Sequence, residues 1–296
     1  MFEYKIVTPE DKEWVETIFK KCNRRGNEYT FANLFNWSKP QNIKIARYKD
    51  CIVFKHFSKS SVYSCPIGNG NLPEVVELLM EESHKYDDKL KLVNVDEFDA
   101  ELIEKAFPGK FEIKERRNDF DYIYVARDLG NLVGKRYHVK RNHMNKFMKT
   151  YPNWRYEDIT RDNIADVRKA AERWYERAME TKESSIVIEK QAVMNGFDYY
   201  FDLNITGGII YVGDDIAAFA FGSNSSDDTL VVHCEKGFLE YEGVYTMIAK
   251  EFSLAASKKG YKYVNREDDM GIEGLRISKL SYRPEFFYKR FEATEV

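Results

Sequence analysis

Gly207-Gly208-Ile209-Ile210-Tyr211-Val212, Ile216-Ala217-Ala218-Phe219-Ala220-Phe221 and Leu230-Val231-Val232-His233-Cys234 follow one another, separated by Asp214-Asp215 and by Ser225-Ser226-Asp227-Asp228. β-Branched and aromatic runs bounded by such polar clusters predict three strands joined by turns. Downstream, the spacing predicts a helix over 245–257, a strand over 261–265, a helix over 272–280 and a final strand over 286–291. Upstream lie a strand near 154–159 and helices over 164–178 and 190–201.

The first half repeats this order. A short strand over 3–7 leads to Thr8-Pro9-Glu10-Asp11, where a hydroxyl cap, a proline in the first turn and two acids open a helix carrying Trp14, Val15, Ile18, Phe19 and Cys22, ended at Gly26. Thr30 caps a second helix. Strands are expected over 43–48, 51–57 and 61–65, then a helix opened by Pro73, a strand over 90–95, a helix over 99–107, and strands over 111–115 and 122–126. A β-α-α-β-β-β-α-β-α-β order occurring twice implies an α+β protein with mixed sheets covered by helices. The order resembles the GNAT-type acetyltransferase fold, so the architecture expected is a tandem duplication of it. Residues 1–130 form one domain and 131–296 the other, which includes a basic linking helix over 132–150.

Composition narrows the class. Twenty Phe, 20 Tyr and 4 Trp among 296 residues supply a core and exclude disorder. The longest clean apolar run, 216–221, is far short of the ~20 residues of a membrane span. Lys plus Arg number 46 against 49 Asp plus Glu, a net charge of −3, which argues against a globally basic nucleic-acid binder but leaves room for a local basic groove. Cys22, Cys51, Cys65 and Cys234 are dispersed, and no leader peptide is visible. They read as reduced thiols of a cytoplasmic protein, and a zinc site is not expected.

The densest chemical signal lies between the strand ending near Asn265 and the helix beginning near Ile272, where Arg266, Glu267, Asp268 and Asp269 are consecutive. Ligands of α/β proteins gather off the carboxyl ends of strands. Carboxylates this close cannot all ionise freely without a compensating cation, so one with a raised pKa is expected, suited to taking a proton from an ammonium group. Asp268 or Asp269 also fits the simpler part of a helix cap. On the following helix, Arg276 and Lys279 share a side with Ile272 and Leu275. Cations on a packed face need a partner: either an internal pair with Glu267, Asp268 or Glu273, or an anionic ligand such as a phosphate of CoA or of a tRNA end.

The linking helix repeats the pattern. It carries Lys135, Arg136, Lys140, Arg141, Lys146 and Lys149 without an acid, and Arg141 shares a side with Tyr137, Met144 and Met148. Such a helix is either a solvated face or a surface for polyanions. The turn that would cradle the CoA pyrophosphate reads Glu240-Tyr241-Glu242-Gly243-Val244-Tyr245, with one glycine, a tyrosine at the second small position and two acids, which weakens a CoA reading for this half. Gly68-Asn69-Gly70 sits at the equivalent place in the first half, without basic neighbours.

Gly134-Lys135-Arg136-Tyr137-His138-Val139-Lys140-Arg141-Asn142-His143, His233-Cys234-Glu235-Lys236, Asn265-Arg266-Glu267-Asp268-Asp269, Gly271-Ile272-Glu273-Gly274-Leu275-Arg276 and Lys279-Leu280-Ser281-Tyr282-Arg283-Pro284 resemble an uncharacterised bacterial family related to the C-terminal domain of phosphatidylglycerol lysyltransferases. Thr30-Phe31-Ala32-Asn33-Leu34-Phe35 extends the resemblance over nearly the whole chain. It implies a tandem acetyltransferase-like fold shared with Fem-type peptidyltransferases, in which aminoacyl-tRNA rather than acyl-CoA is the usual donor. The lysyltransferases take a lipid headgroup as acceptor, supplied by a large membrane domain that this chain lacks.

The expectation is a soluble acyl or aminoacyl transferase acting on an amine or hydroxyl. Glu267 or Asp268 is the proton acceptor or ammonium anchor. Lys236, Arg276 and Lys279 steady phosphate or oxyanion charge, Asn265 and Tyr282 orient substrate, and Arg266 and Arg141 complete the binding set. The alternatives are an acetyl-CoA-dependent N-acetyltransferase using Gly68-Asn69-Gly70, and a non-catalytic binding module on the same scaffold.

Overall fold

The computed structural model describes residues 2–57, 61–180 and 184–296. In chain order the first half holds α1 (Lys12–Cys22), α2 (Phe31–Ser38), β1 (Ile43–Tyr48), β2 (Cys51–His56), β3 (Val62–Gly68), α3 (Leu72–His84), β4 (Lys91–Val95), α4 (Glu97–Ala106), β5 (Phe111–Glu115) and β6 (Asp121–Val125). The second half holds α5 (Ala126–Asn131), α6 (His138–Thr150), β7 (Trp154–Asp158), α7 (Ile164–Met179), α8 (Ser184–Asp198), β8 (Thr206–Val212), β9 (Asp215–Ser226), β10 (Thr229–Gly237), α9 (Val244–Lys258), β11 (Tyr263–Asn265), α10 (Glu273–Ser281), β12 (Phe286–Tyr288) and β13 (Phe291–Glu295). The duplicated α+β order is therefore present, and most local signals act as their chemistry dictates. The Thr30 hydroxyl accepts from the Asn33 amide and caps α2. α1 stops earlier than Gly26, because Asn23 takes the left-handed conformation at its end.

Each half builds one sheet, in the orders β1-β2-β3-β4-β13-β5 and β12-β6-β11-β10-β9-β8-β7. Sheet membership departs from the linear division at 130/131. β6, from the first half, is inserted between β11 and β12, and β13, from the chain's end, is inserted between β4 and β5. The two halves have exchanged equivalent strands. Tyr122, Ile123 and Tyr124 of β6 are fully buried in their adopted sheet. The strand expected over 286–291 is accordingly two, parted at Lys289 and Arg290, one serving each sheet.

Two other expectations change. The strand over 3–7 is a single bridge, Lys5 to Ile45. The linking helix is broken: α5 ends with Leu132 in the left-handed region, and α6 begins only at His138. Arg141 explains its own position here. Its guanidinium donates to the Leu132 and Gly134 carbonyls, both at 2.6 Å, tying the break together instead of facing a ligand.

The parallel pairs position the sites. β3 pairs with β4 only over Val62–Ser64, and β10 pairs with β11 only over Thr229–Val231. Beyond those registers the strands no longer bond, so each sheet has a gap at the carboxyl ends of its parallel strands. In both halves, the residues that carry chemistry collect there.

Candidate active site at the carboxyl end of β11

Asn265 ends β11 fully buried, with three bonds that anchor the acidic loop. Its amide donates to Asp121 and to the Arg25 carbonyl, both at 2.8 Å, and its carbonyl oxygen accepts from the Glu267 backbone N–H at 2.7 Å. The Tyr122 N–H donates to the Glu267 carbonyl at 3.1 Å. Held at both ends, Glu267 adopts φ +55°, a left-handed conformation costly for a residue with a Cβ and retained where surroundings over-determine it. Its carboxylate, 23% exposed, meets Nδ1 of His233 at 3.0 Å, and that imidazole is almost fully buried. Nε2 of His233 lies 2.8 Å from Ser223 Oγ and 3.4 Å from Thr30 Oγ1. An ionised carboxylate only accepts, so Nδ1 carries a proton toward Glu267, and in the neutral imidazole Nε2 then accepts from the Ser223 hydroxyl. A carboxylate at the gap is thus backed by an imidazole that can share its proton.

Asp268, next to it, is pushed up to about 7 by burial and by the nearby Asp121 charge, against the pull of Lys279. Asp269 behaves oppositely. Burial alone would raise it, but Arg276 and Tyr122 hold it well below the usual carboxylate range. Arg276 grips it through Nε at 2.9 Å and Nη2 at 2.8 Å, Tyr122 donates at 2.5 Å, and Arg117 lies at 3.3 Å. Three adjacent acids therefore have three fates: one relayed, one near neutrality, one locked.

The cations expected to meet a ligand are largely accounted for internally. Arg276 pairs with Asp269, an acid outside the set of partners expected for it. Lys279 donates to the Arg266 carbonyl at 2.6 Å and to the Asp268 carbonyl, bracing the loop from beneath. Lys236 bonds Glu189 at 2.6 Å and lies over the Trp174 ring, with its charge paired there. α10 has no buried residue; Ile272, Leu275, Ile277 and Leu280 are all exposed. The helix is held by its polar contacts: Arg276 and Lys279 turn toward the loop, while the apolar side chains expected to pack beside them are open to water. Removing Arg276 leaves Asp269 buried with weaker compensation, and Arg276→Ala is expected to lower Tm in a thermal melt, more than Arg127→Ala at an exposed site.

The anomaly sought on α10 occurs on α6 instead. Lys140, not its neighbour Arg141, is the inward cation: it is 9% exposed, with its ammonium 3.7 Å from the centre of the Tyr282 ring. Arg266 lies over the same ring at 4.7 Å and bonds Glu235 at 2.6 Å. Neither His233 nor Lys140 is among the expected site residues, although Lys140 belongs to the basic helix and His233 to the family-like stretch. His233 faces its partner only because β10 outruns β11, and Lys140 points inward because the break after α5 rotates α6 relative to one continuous helix.

The loop where a pyrophosphate cradle was sought is covered. At Gly243, φ +89°, a Cβ would stand 2.9 Å from the His143 carbonyl and 3.3 Å from the Phe147 side chain, so α6 lies directly over the start of α9. Only glycine fits such an approach. The equivalent gap of the first half holds a hollow of about 300 Å3, lined by Cys22, Arg24, Cys51, Gly68, Gly70 and Asp99 among others.

Residues 19–294 match the family described as phosphatidylglycerol lysyltransferase, C-terminal. The chain belongs to that family. Among solved structures it is similar to a conserved protein of unknown function from Bacteroides thetaiotaomicron, at 33% identity over the full length of both chains with a TM-score of 0.93. It also shares the fold of the C-terminal domain of a putative lysylphosphatidylglycerol synthetase from Agrobacterium fabrum, at 11% identity over 97% of this chain and 92% of that one, with a TM-score of 0.70. An uncharacterised protein of Mycoplasmoides gallisepticum is 24% identical over 80% of this chain and 76% of its own length. The family is thus acyltransferase-like, and the fold is that of the lysyltransferase C-terminal domain, two mixed sheets covered by helices. Among the described residues, no helix is long and apolar enough to cross a membrane.

Proposed function

We propose that this protein is a cytoplasmic aminoacyl or acyl transferase that delivers its group to an amine or hydroxyl at the carboxyl end of β11. The observation that carries the reading is the Glu267–His233 pair at the gap, held in a strained backbone by Asn265 and Tyr122. Attack on an ester or thioester carbonyl requires the acceptor to lose a proton as the new bond forms. Glu267 takes that proton, with His233 fixing the carboxylate and sharing its charge, and the proton passes to the departing donor hydroxyl or thiol as the ester or thioester bond breaks. Asp268 binds the acceptor's ammonium form or receives its proton, a role suited to a group titrating near neutrality. Asn265, Arg276, Lys279 and Lys236 position the loop and its surroundings instead of touching substrate. Tyr282 forms the wall shared by Lys140 and Arg266.

Aminoacyl-tRNA fits as donor because the family is named for lysyl transfer, and because α6 covers the turn where a CoA pyrophosphate would need backbone amides. Four unbridged cysteines suit a reducing compartment. A second reading, acetyl-CoA as donor, is favoured by the first-half hollow beside Gly68-Asn69-Gly70.

The deciding experiment offers labelled aminoacyl-tRNAs with amine and hydroxyl acceptors and follows the label, in parallel with calorimetric titration of CoA. Transfer lost in Glu267→Gln supports the first reading; sub-millimolar CoA binding without aminoacyl transfer overturns it. Transfer should rise with pH through about 7 as Asp268 ionises, because the protonated acid cannot accept, and Asp268→Asn should flatten that limb.

A further inference from the structure

Two buried cations beside the site lack the partners that burial demands. The Lys140 ammonium has no hydrogen bond or ion pair among the described residues, and it lies against the face of Tyr282. Arg266 spends one nitrogen on Glu235, while its Nη1 is buried without any acceptor. Both lie over one ring, Lys140 at 3.7 Å and Arg266 at 4.7 Å. Glu235 is the single carboxylate shared between them. Tyr124 and Tyr282 complete the wall, and neither supplies negative charge at neutral pH. A buried donor left unmet is costly, more so when charged, and Arg266 Nη1 is such a donor. The Lys140 ammonium beside it is mostly removed from water over the Tyr282 ring, so the pair is placed to receive something that arrives.

We propose that Lys140 and Arg266 form an anion subsite that takes a phosphate group, with the Lys140 ammonium and Arg266 Nη1 as its donors and Tyr282 as its floor. Phosphate suits the geometry because its several oxygens can satisfy a point-like ammonium and a guanidinium edge together. The subsite stands on burial and pairing alone; that its phosphate belongs to the transfer donor rests on the reading given above. The unfilled state bears a cost. Burial, with the Arg266 charge close by, pulls the Lys140 ammonium down to about 8. An ammonium held below its ordinary value is worse placed in the folded chain than in the unfolded one.

That cost gives a test in which a merely structural lysine and a ligand-binding lysine behave oppositely. Thermal melts and calorimetry are run on the full chain with inorganic phosphate replacing chloride at constant ionic strength. Wild type should show a saturable rise in Tm with phosphate. Lys140→Met should melt above wild type without phosphate and lose at least tenfold in phosphate affinity. Lys140→Gln should also lose the phosphate response, and Lys140→Arg should keep it. Competition by adenosine 5′-monophosphate, the unit at a tRNA end, or by CoA would uphold the subsite if it weakens tenfold in Lys140→Met, and would tell the two phosphate sources apart. A Lys140→Met variant that melts below wild type, or phosphate binding unchanged in Lys140→Met and Lys140→Gln, overturns the proposal. Neither result bears on whether Glu267 acts in transfer.

Discussion

Glu267→Gln should lower kcat/KM for transfer by about 10²–10⁴-fold while the protein folds and melts as before. Glutamine keeps the shape and can still accept a hydrogen bond from His233 through its amide oxygen, so the left-handed turn and the Asn265 anchor survive. What disappears is the capacity to take a proton and the negative charge facing an incoming ammonium. His233→Asn should cost less, since histidine acts through the carboxylate, and its signature is a shift of the pH profile along with a fall in kcat at nearly constant KM. Steady-state transfer measured between pH 5.5 and 9 for both variants decides the matter. A Glu267→Gln enzyme within threefold of wild type would remove the base from this position.

Arg290→Ala should destabilise the fold by about 3–5 kcal/mol, the cost of leaving buried acids without their cation. Arg290 is 2% exposed and bonds both Glu28 and Asp121, the latter at 3.2 Å; one oxygen on each acid is already buried without a partner. Burial pushes both carboxyls up against the pull of Arg290, and Glu28 reaches about 7. Acids raised in the folded chain hold protons that the unfolded chain has released. Their effect on stability is therefore most favourable at low pH and is lost as pH climbs through the raised values. Without Arg290 the acids rise further, so the gap in stability between variant and wild type should narrow from pH 8 toward pH 5. Denaturant titrations at three pH values measure it, and a gap independent of pH would count against this assignment of charge.

Much of the architecture could be read from the chain because its signals are local. Thr30, the 43–48 and 51–57 hairpin, and the three strands opened by Gly207-Gly208 are set by neighbours a few residues away. The strand exchange has no such signal. Tyr122-Ile123-Tyr124 reads as a strand whichever sheet receives it, and only Arg290, a cation inside an aromatic run, marks where the last strand must part. At the site, three consecutive acids were visible, but their separate fates depend on Arg276, His233 and Asp121 arriving from elsewhere. α10 misled for a related reason: periodicity shows which side chains share a face, but not whether anything packs against it.

The slot between β4 and β5 stays vacant until residues 291–295 have been made, since β13 fills it. Vectorial synthesis therefore cannot finish the amino-terminal sheet while the ribosome is still translating the remainder. The nascent chain carries two open strand edges throughout, a state that invites wrong pairing. Cutting the gene between its halves would yield two polypeptides that each lack an interior strand, and neither could close its own core without the other.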